Sequence, residues 1–283
     1  MQLIRDTTTL RQTIEAWRYQ GERIALVPTM GNLHRGHLRL VEEAQRQAAR
    51  VVVSIYVNPL QFGANEDFAA YPRTLDQDRT ALESGGTALL FLPDNAVMYP
   101  NGLAASTQVA VPGLSDILCG AHRPGHFVGV TTVVAKFFNM VRPDVAVFGK
   151  KDFQQFILIK KMAQDLAMPI DILGVETERA ANGLALSSRN GYLSNAEREQ
   201  AAGIYRTLTA IAAQIRGGAT DVAPLEQRGR ELLLEQGFRP DYVTLRRADD
   251  LGEPSAEDSA WVLLTAAWLG STRLIDNIVI TRR

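Results

Sequence analysis

Residues 24–37 read Ile-Ala-Leu-Val-Pro-Thr-Met-Gly-Asn-Leu-His-Arg-Gly-His. The apolar run at 24–28 is typical of a buried strand, and Leu38, Val41, Ala44 and Ala48 share one face of a helical pattern that begins near His37. The glycine-rich segment between them is therefore predicted to be a strand-to-helix turn. Such a turn points backbone N–H groups and the positive end of a helix dipole at its ligand, which is usually an anion. We predict a phosphate-binding site at this turn.

The surrounding pattern predicts an α/β fold. Further strands are predicted at 51–57, 88–92, 144–148 and 170–175, and helices at 8–20, 37–50, 129–141 and 152–167. Strands that alternate with helices indicate a Rossmann-like doubly wound parallel sheet, here spanning residues 1–178. Ligands of such sheets bind at the carboxyl ends of the strands, where the polar segments 28–30, 58–61 and 149–152 are expected to lie.

Residues 179–283 have a different pattern. Helical periodicity at 196–216 and 223–236 is followed by three strand-like runs at 242–246, 261–269 and 274–280. We predict a second, smaller α+β domain, joined to the first by the polar loop 181–191.

Composition limits the class of protein. The chain of 283 residues is 46% hydrophobic and 22% charged, with a formal net charge of −1, which provides no large basic surface for a nucleic acid partner. The single cysteine, Cys119, excludes an internal disulfide and suits a reducing compartment. The first residues lack an apolar signal core, and the longest apolar run, 261–269, is too short to span a bilayer. We expect a cytoplasmic protein without membrane or nucleic acid partners.

All four histidines lie in two segments of the form Gly-x4-Gly-His, residues 31–37 and 120–126. A Walker A loop requires Lys and then Ser or Thr after its second glycine, but His37 and Leu38 stand there. The Gly-x-Gly-x-x-Gly dinucleotide fingerprint is also missing from the sequence. A zinc site at His34 and His37 has weak support because no third ligand stands nearby, so any metal ligands stay unknown. The histidines can equally be residues that pack a loop.

Donor side chains elsewhere favour a nucleotide. His34, His37, Arg123, Lys150, Lys151, Ser187, Ser188 and Arg189 could all donate to a polyphosphate, and no nucleophile coupled to a His-Asp pair is evident. Gln61 and Gln155 are neutral amides suited to orienting a hydroxylated acid. On position alone, Gln155 also fits a solvated helix face.

The sequence closely resembles the pantothenate synthetase family, part of the His-x-Gly-His nucleotidyltransferase superfamily. The core of the resemblance is the His-x-Gly-His signature at 34–37 within Pro-Thr-Met-Gly-Asn-Leu-His-Arg-Gly-His. Further matching segments, in order, are Val-Asn-Pro-Leu-Gln-Phe (57–62), Tyr-Pro-Arg-Thr (71–74), Arg-Pro-Gly-His-Phe (123–127), Phe-Gly-Lys-Lys-Asp-Phe-Gln-Gln (148–155), Leu-Ser-Ser-Arg-Asn (186–190) and Ala-Ala-Trp-Leu-Gly (266–270). They cover nearly the whole chain.

The resemblance implies a two-step ligation. The (R)-pantoate carboxylate attacks the α-phosphate of Mg-ATP to give pantoyl adenylate and pyrophosphate, and the amine of β-alanine then displaces AMP to give pantothenate. The implied catalytic residues are His37, His34 and Lys151. The implied ATP contacts are Met30, Gly31, Asn32, Leu33, His34, Arg35, Gly36, His37, Gly149, Lys150, Lys151, Asp152, Leu186, Ser187, Ser188 and Arg189. The implied pantoate and β-alanine contacts are Gln61, Gln155, Asn58 and Arg123.

The resemblance also implies a homodimer, with residues 186–189 of the second domain acting as a lid over the triphosphate. His126 is expected to order its loop, and His122 to be a surface residue. One position departs from the family pattern Gly-Glu-Lys-Asp: Lys150 replaces the acid beside Lys151, which makes the local potential more positive. Two alternatives stay open: another nucleotidyltransferase of this superfamily, and a nucleotide-binding regulator without turnover. A class I tRNA synthetase is a variant of the first, but the near-neutral charge and the lack of a Lys-Met-Ser-Lys-Ser segment argue against it.

Overall fold

The chain forms two compact units in the computed structural model, which describes residues 1–64 and 66–282. Unit 1 contains Met1–Lys150 and Leu158–Glu176, and unit 2 contains Lys151–Ile157 and the chain from Thr177 onward. This division differs slightly from the predicted boundary at 178/179, because Lys151–Ile157 groups with unit 2.

A parallel sheet forms the centre of unit 1. Its strands, in the described part of the chain, are β1 (Gln2–Ile4), β2 (Ile24–Thr29), β3 (Arg50–Ile55), β4 (Leu89–Phe91), β5 (Val145–Gly149) and β6 (Asp171–Val175), in the spatial order β1-β4-β3-β2-β5-β6. All of their pairings are parallel. The predicted doubly wound parallel sheet is confirmed. The three-residue strand β1 was not predicted, since it is too short to show a periodic signal.

Seven α-helices of the described residues lie between consecutive strands of this sheet, and three more follow β6 in unit 2. They are α1 (Thr7–Tyr19), α2 (Arg35–Gln47), α3 (Leu75–Ser84), α4 (Asn95–Met98), α5 (Cys119–His122), α6 (His126–Val141), α7 (Phe153–Asp165), α8 (Asn195–Ala201), α9 (Gly203–Arg216) and α10 (Val222–Glu235), with short 3-10 helices at Pro59–Gln61, Lys150–Asp152 and Ser188–Tyr192. Helices α3, α4 and α5 were not predicted. No helix among these residues is long and apolar enough to cross a membrane.

Burial on both faces explains the apolar strands. One face of the sheet packs against helix α2. The residues of this cluster are Ala25 and Val27 of β2, Val51 and Val53 of β3, and Leu40, Val41 and Ala44 of α2. Leu26 and Val52 lie on the opposite face of the sheet and are also fully buried. A strand buried on both faces reads as a continuous hydrophobic run rather than an alternating one.

Unit 2 has an antiparallel sheet covered by helices. Within the described residues its strands are β7 (Arg239–Arg247), β8 (Ala260–Leu269) and β9 (Thr272–Thr281), in that spatial order. Trp261, Leu263 and Ala267 of β8 form its core with Leu208 and Ile211 of α9. The predicted smaller α+β domain is confirmed. The single helix predicted at 196–216 is interrupted at Ala202, where α8 ends and α9 begins.

Candidate functional site

The strand order of unit 1 places a ligand crevice beside β2. From β2 the chain proceeds to β3 and β4 on one side, and it then crosses to β5 on the other side. A crevice opens outside the carboxyl ends of two strands at such a switch point. Thr29 ends β2 and Gly149 ends β5, so the predicted turn at 30–37 and Lys150 follow these two ends directly.

The two histidines of the turn cap helix α2. His34 is its N-cap residue, and its Nδ1 accepts a hydrogen bond from the Gly36 N–H at 3.1 Å. His37 Nδ1 accepts from the His34 N–H at 3.3 Å, and the ring centroids are 4.1 Å apart. Because Nδ1 accepts in both rings, the proton of each neutral imidazole lies on Nε2. Each ring thus has an Nε2–H donor opposite its capping nitrogen.

A buried carboxylate holds the start of this turn. Asp78 of α3 accepts hydrogen bonds from the Asn32 N–H (2.8 Å), the Leu33 N–H (2.7 Å) and the Thr74 hydroxyl (3.1 Å). Sequence reasoning missed Asp78, because an acid in an exposed-looking stretch reads as a solvated residue. The only signal near it was the family-like segment at 71–74, which leads into α3.

These contacts engage most of the backbone N–H groups that the sequence analysis expected to face a phosphate. The N–H groups of residues 31, 32, 33, 34 and 36 all donate to side chains of unit 1. The positive end of the α2 dipole is still present at the turn. Direct donors to an anion must therefore come largely from side chains, and the two imidazoles are the nearest in sequence.

Gln61 is fixed within a chain of buried polar groups. Its Nε2 donates to Met30 Sδ at 2.9 Å, and its Oε1 accepts from Asn58 Nδ2 at 3.3 Å. Asn58 also donates to the Gly129 carbonyl at 3.0 Å and accepts from the Tyr99 hydroxyl at 2.8 Å. Burial raises the pKa of Tyr99 to about 12, so its hydroxyl stays a donor. Asn58 is only 1% exposed, and these contacts make it a support for Gln61. Its contact with substrate stays a prediction.

The second Gly-His segment also supports Gln61. Both Glu66 oxygens lie 2.6 Å from the Arg123 guanidinium, and Arg123 Nη1 donates to His126 Nε2 at 2.9 Å. His126 Nδ1 then donates to the Gln61 carbonyl at 2.7 Å. Burial alone raises the pKa of Glu66, but the hydrogen bonds and charge of Arg123 outweigh it and hold that pKa below its ordinary value. The structure thus places Arg123 in an ion pair with Glu66, and its contact with substrate stays a prediction.

Lys150 has an acidic neighbour that the sequence did not reveal. Gly149 of β5 pairs with Val175 of β6, so the next residues, Lys150 and Glu176, lie side by side. Their side chains form an ion pair at 2.5 Å. The extra positive charge expected at Lys150 is therefore partly compensated.

Unit 2 holds the remaining predicted residues. Lys151 Nζ lies 3.8 Å from Asp152, and the Lys151 carbonyl accepts a hydrogen bond from Asn277 of β9 at 2.9 Å. Gln155 is half-buried in the first turn of α7. Ser187 caps the 3-10 helix that contains Ser188 and Arg189, and its Oγ accepts from the Arg189 N–H at 3.3 Å.

A buried ion pair anchors this serine loop within unit 2. Arg179 donates to both carboxylate oxygens of Asp276, at 2.6 and 2.9 Å, and to the Gly183 carbonyl at 3.2 Å. The Leu186 N–H donates to the Glu178 carbonyl at 2.9 Å. Residues 178–187 are thereby tied to one another and to β9.

A doubly wound parallel sheet with a His-x-Gly-His turn at its switch point defines the nucleotidyl-transferring class of Rossmann-like proteins. The family model described as pantoate-beta-alanine ligase matches residues 2–279. The chain is 56% identical over 281 residues to a pantothenate synthetase of Chromohalobacter salexigens (99% of each chain) and 53% identical over 282 residues to one of Shewanella loihica (100% of each chain). The chain belongs to the pantoate-beta-alanine ligase family.

Solved structures agree with this assignment. A pantothenate synthetase from Thermus thermophilus is 43% identical with a TM-score of 0.91, and 98% of this chain and 99% of that chain are covered. A pantoate-beta-alanine ligase from Francisella tularensis, complexed with beta-gamma ATP and beta-alanine, is 31% identical with a TM-score of 0.82. That match covers 99% of this chain and 97% of the Francisella chain. The chain is thus a ligase that forms an amide bond, which decides against a tRNA synthetase and a regulator without turnover.

Proposed function

We propose that the chain joins (R)-pantoate to β-alanine by way of pantoyl adenylate, and that Mg-ATP is its co-substrate. The single observation that carries this proposal is the pair of imidazole Nε2–H donors at the switch point of the sheet. The Francisella relative, whose structure is a complex with beta-gamma ATP and beta-alanine, supports ATP and β-alanine as substrates of this chain.

In the first step, a pantoate carboxylate oxygen attacks the α-phosphorus of ATP. The bond to the β-phosphate breaks and pyrophosphate leaves, while negative charge develops on the phosphoryl oxygens. His34 and His37 donate to these oxygens from Nε2 without proton transfer. By analogy with oxyanion-hole donors, each contact is worth roughly 10²- to 10³-fold in rate.

In the second step, the amine of β-alanine attacks the acyl carbon, the acyl–phosphate bond breaks and AMP leaves. Gln61 and Gln155 hold pantoate by amide hydrogen bonds, and Gln61 also lies near the β-alanine amine. Tight support of Gln61 by Asn58 matters here, because correct alignment of reacting groups contributes strongly to rate.

The other proposed contacts concern the nucleotide. Lys151 contacts the phosphates. Gly149 and Asp152 contact the ribose and adenine side of the nucleotide. Met30 contacts the nucleotide through its main chain. Ser187, Ser188 and Arg189 donate to the triphosphate as a lid. Lys150 acts as an additional cation whose charge Glu176 reduces.

The residues also suit a Mg²⁺ ion that arrives with the nucleotide. Within residues 1–64 and 66–282, no group of three or more His, Cys, Asp or Glu side chains is arranged to hold a metal. Mg²⁺ commonly keeps several waters and binds through substrate phosphates with few protein ligands.

Two further proposals follow from the family resemblance. We propose that the chain works in the cytoplasm and that it forms a homodimer. Light scattering coupled to size exclusion would then give a mass twice that of the 31.1 kDa chain. A mass equal to one chain at micromolar concentration would exclude the dimer.

The proposed reaction is tested by identifying which bond of ATP is broken. An adenylate mechanism cleaves the α–β bond of ATP, so Mg-ATP and pantoate alone should release at most about one pyrophosphate per site, because the adenylate is sequestered from water. Added β-alanine should start steady AMP formation, matched one to one by pantothenate. Release of ADP and phosphate, or turnover that ignores β-alanine, would refute the proposal.

A further inference from the structure

Asp78 is a buried acid with no direct part in the proposed reaction. It is 3% exposed and lies in α3, on a different element from every proposed substrate contact. Its Oδ2 accepts the Asn32 N–H, and its Oδ1 accepts the Leu33 N–H and the Thr74 hydroxyl. One carboxylate thus holds two consecutive backbone groups immediately before His34.

The backbone at this point needs support. Gly31 has φ = +81° and Asn32 has φ = +51°, so two successive residues are left-handed. This conformation is readily adopted by glycine but disfavoured for other residues. A Cβ on Gly31 would lie 3.1 Å from both Asp78 Oδ2 and Ile55 Cγ2. The contact between the turn and Asp78 is therefore close and leaves little freedom.

The direction of the chain at Asn32 and Leu33 determines where His34 begins helix α2. His34 and His37 cap each other through Nδ1, so their rings move as a pair with the N-terminus of the helix. A shift at residues 32 and 33 would consequently displace both Nε2–H donors. A displacement of about 1 Å in a catalytic group can cost on the order of 10²-fold in rate.

We propose that Asp78 is a positioning residue, which fixes the left-handed turn at residues 31–33 so that both imidazoles donate to the phosphate under attack. The inference rests on the proposed function. The proposal also explains how a carboxylate can lie beside an anion site. The charge of Asp78 is directed at two backbone N–H groups, and these groups therefore do not bind the nucleotide.

Asp78→Asn tests the proposal. The amide keeps the shape of the side chain but has one acceptor oxygen for two N–H donors. We expect kcat for adenylate formation to fall about tenfold or more, with a smaller change in the pantoate KM. Asp76→Asn is the matched control, since Asp76 is an exposed acid in the first turn of the same helix. Unchanged kcat in folded Asp78→Asn would overturn the proposal.

A double-mutant cycle separates positioning from general destabilisation. If Asp78 acts through the histidine pair, Asp78→Asn should reduce kcat much less in a His37→Ala background than in the wild-type background. If each substitution reduces kcat by the same factor whether or not the other is present, Asp78 does not act through His37 and the proposal is overturned. If Asp78→Asn does not fold, Thr74→Val removes one donor to the same carboxylate. A two- to threefold loss in its kcat would support the inference, and no loss would count against it.

The nitrogen-15 signals of the imidazoles give a readout without turnover. Long-range proton–nitrogen spectra of the substrate-free enzyme report which ring nitrogen carries the proton. We expect Asp78→Asn to shift the signals of His34 and His37, whereas Asp76→Asn should leave them unchanged. Failure of the wild-type enzyme to make pantothenate would refute the proposed function, while unshifted imidazole signals would refute the positioning role alone.

Discussion

At the scale of single residues, the two ring nitrogens of His37 serve a structural role and the proposed chemical role. Its Nδ1 accepts the His34 N–H and completes a reciprocal cap, which leaves the proton on Nε2. A cap thereby selects the tautomer that can donate to a phosphate. The two roles are separable, because a glutamine three residues after an N-cap residue can also complete such a box.

The variants His37→Ala and His37→Gln should therefore differ in stability more than in rate. We expect His37→Ala to lower kcat by roughly 10²-fold or more with a smaller change in the ATP KM, because contacts made in the transition state are lost. It should also lose about 0.5–2 kcal/mol of unfolding free energy, the usual cost of a lost cap. His37→Gln should retain most of that stability but not the rate. Wild-type kcat in His37→Gln would remove His37 from the catalytic residues.

Lys150 and Glu176 form a second residue-scale test. Lys150→Glu restores the usual family residue but places two carboxylates side by side at the ends of β5 and β6. We expect a folded, active enzyme with a higher ATP KM and a weaker dependence on salt, since one cation near the polyphosphate is lost. Adding Glu176→Lys should restore part of the ATP affinity. Steady-state kinetics at two salt concentrations checks this. Complete loss of activity in Lys150→Glu would give Lys150 an essential role.

At the scale of elements, a loop and a helix are joined at Gln61, whose side-chain amide is proposed to bind substrate. Glu66 lies in the loop after the 3-10 helix Pro59–Gln61, while Arg123 precedes α6 and His126 begins it. The link runs from the Glu66 carboxylate through Arg123 and His126 to the Gln61 carbonyl. Gln61 is only 8% exposed, so its backbone and side chain are both fixed.

The Glu66–Arg123 pair should make stability depend on pH. The pKa of Glu66 is lowered from 4.5 in the folded protein, so the stabilisation is fully present above about pH 4.5 and is lost as the pH falls through the folded pKa. We expect Glu66→Gln to cost about 1.5–3 kcal/mol at pH 7, as for other hydrogen bonds to charged groups. The cost should shrink below pH 4.5. Urea unfolding at several pH values measures it, with exposed Glu15→Gln as the control. A cost independent of pH would contradict the ion-pair explanation.

At the scale of the whole molecule, the sequence predicted what local patterns encode. Apolar runs identified β2, β3, β4 and β5 because those strands are almost entirely buried. The Gly-His turn identified the carboxyl end of β2. Contacts between distant residues were not predictable. Asp78 reads as a solvated acid until α3 brings it under the turn, and Glu176 is known as the partner of Lys150 only from the register of β5 and β6. The burial of Asn58 likewise cannot be read from its neighbours in sequence.

Thermal unfolding in the presence of substrates tests the behaviour of the whole molecule. A ligand that binds only the folded state stabilises it by RT ln(1 + [L]/Kd), so a tightly held intermediate raises Tm more than weakly bound substrates do. If pantoate and Mg-ATP form a sequestered adenylate, their combined increase in Tm should exceed the sum of the two separate increases. Adding β-alanine should reduce it, because the adenylate is consumed. Because His37→Ala forms the adenylate slowly, its combined increase in Tm after a short incubation should equal the sum of the two separate increases. An additive increase in the wild-type enzyme, or one that β-alanine leaves unchanged, would mean that no such intermediate accumulates.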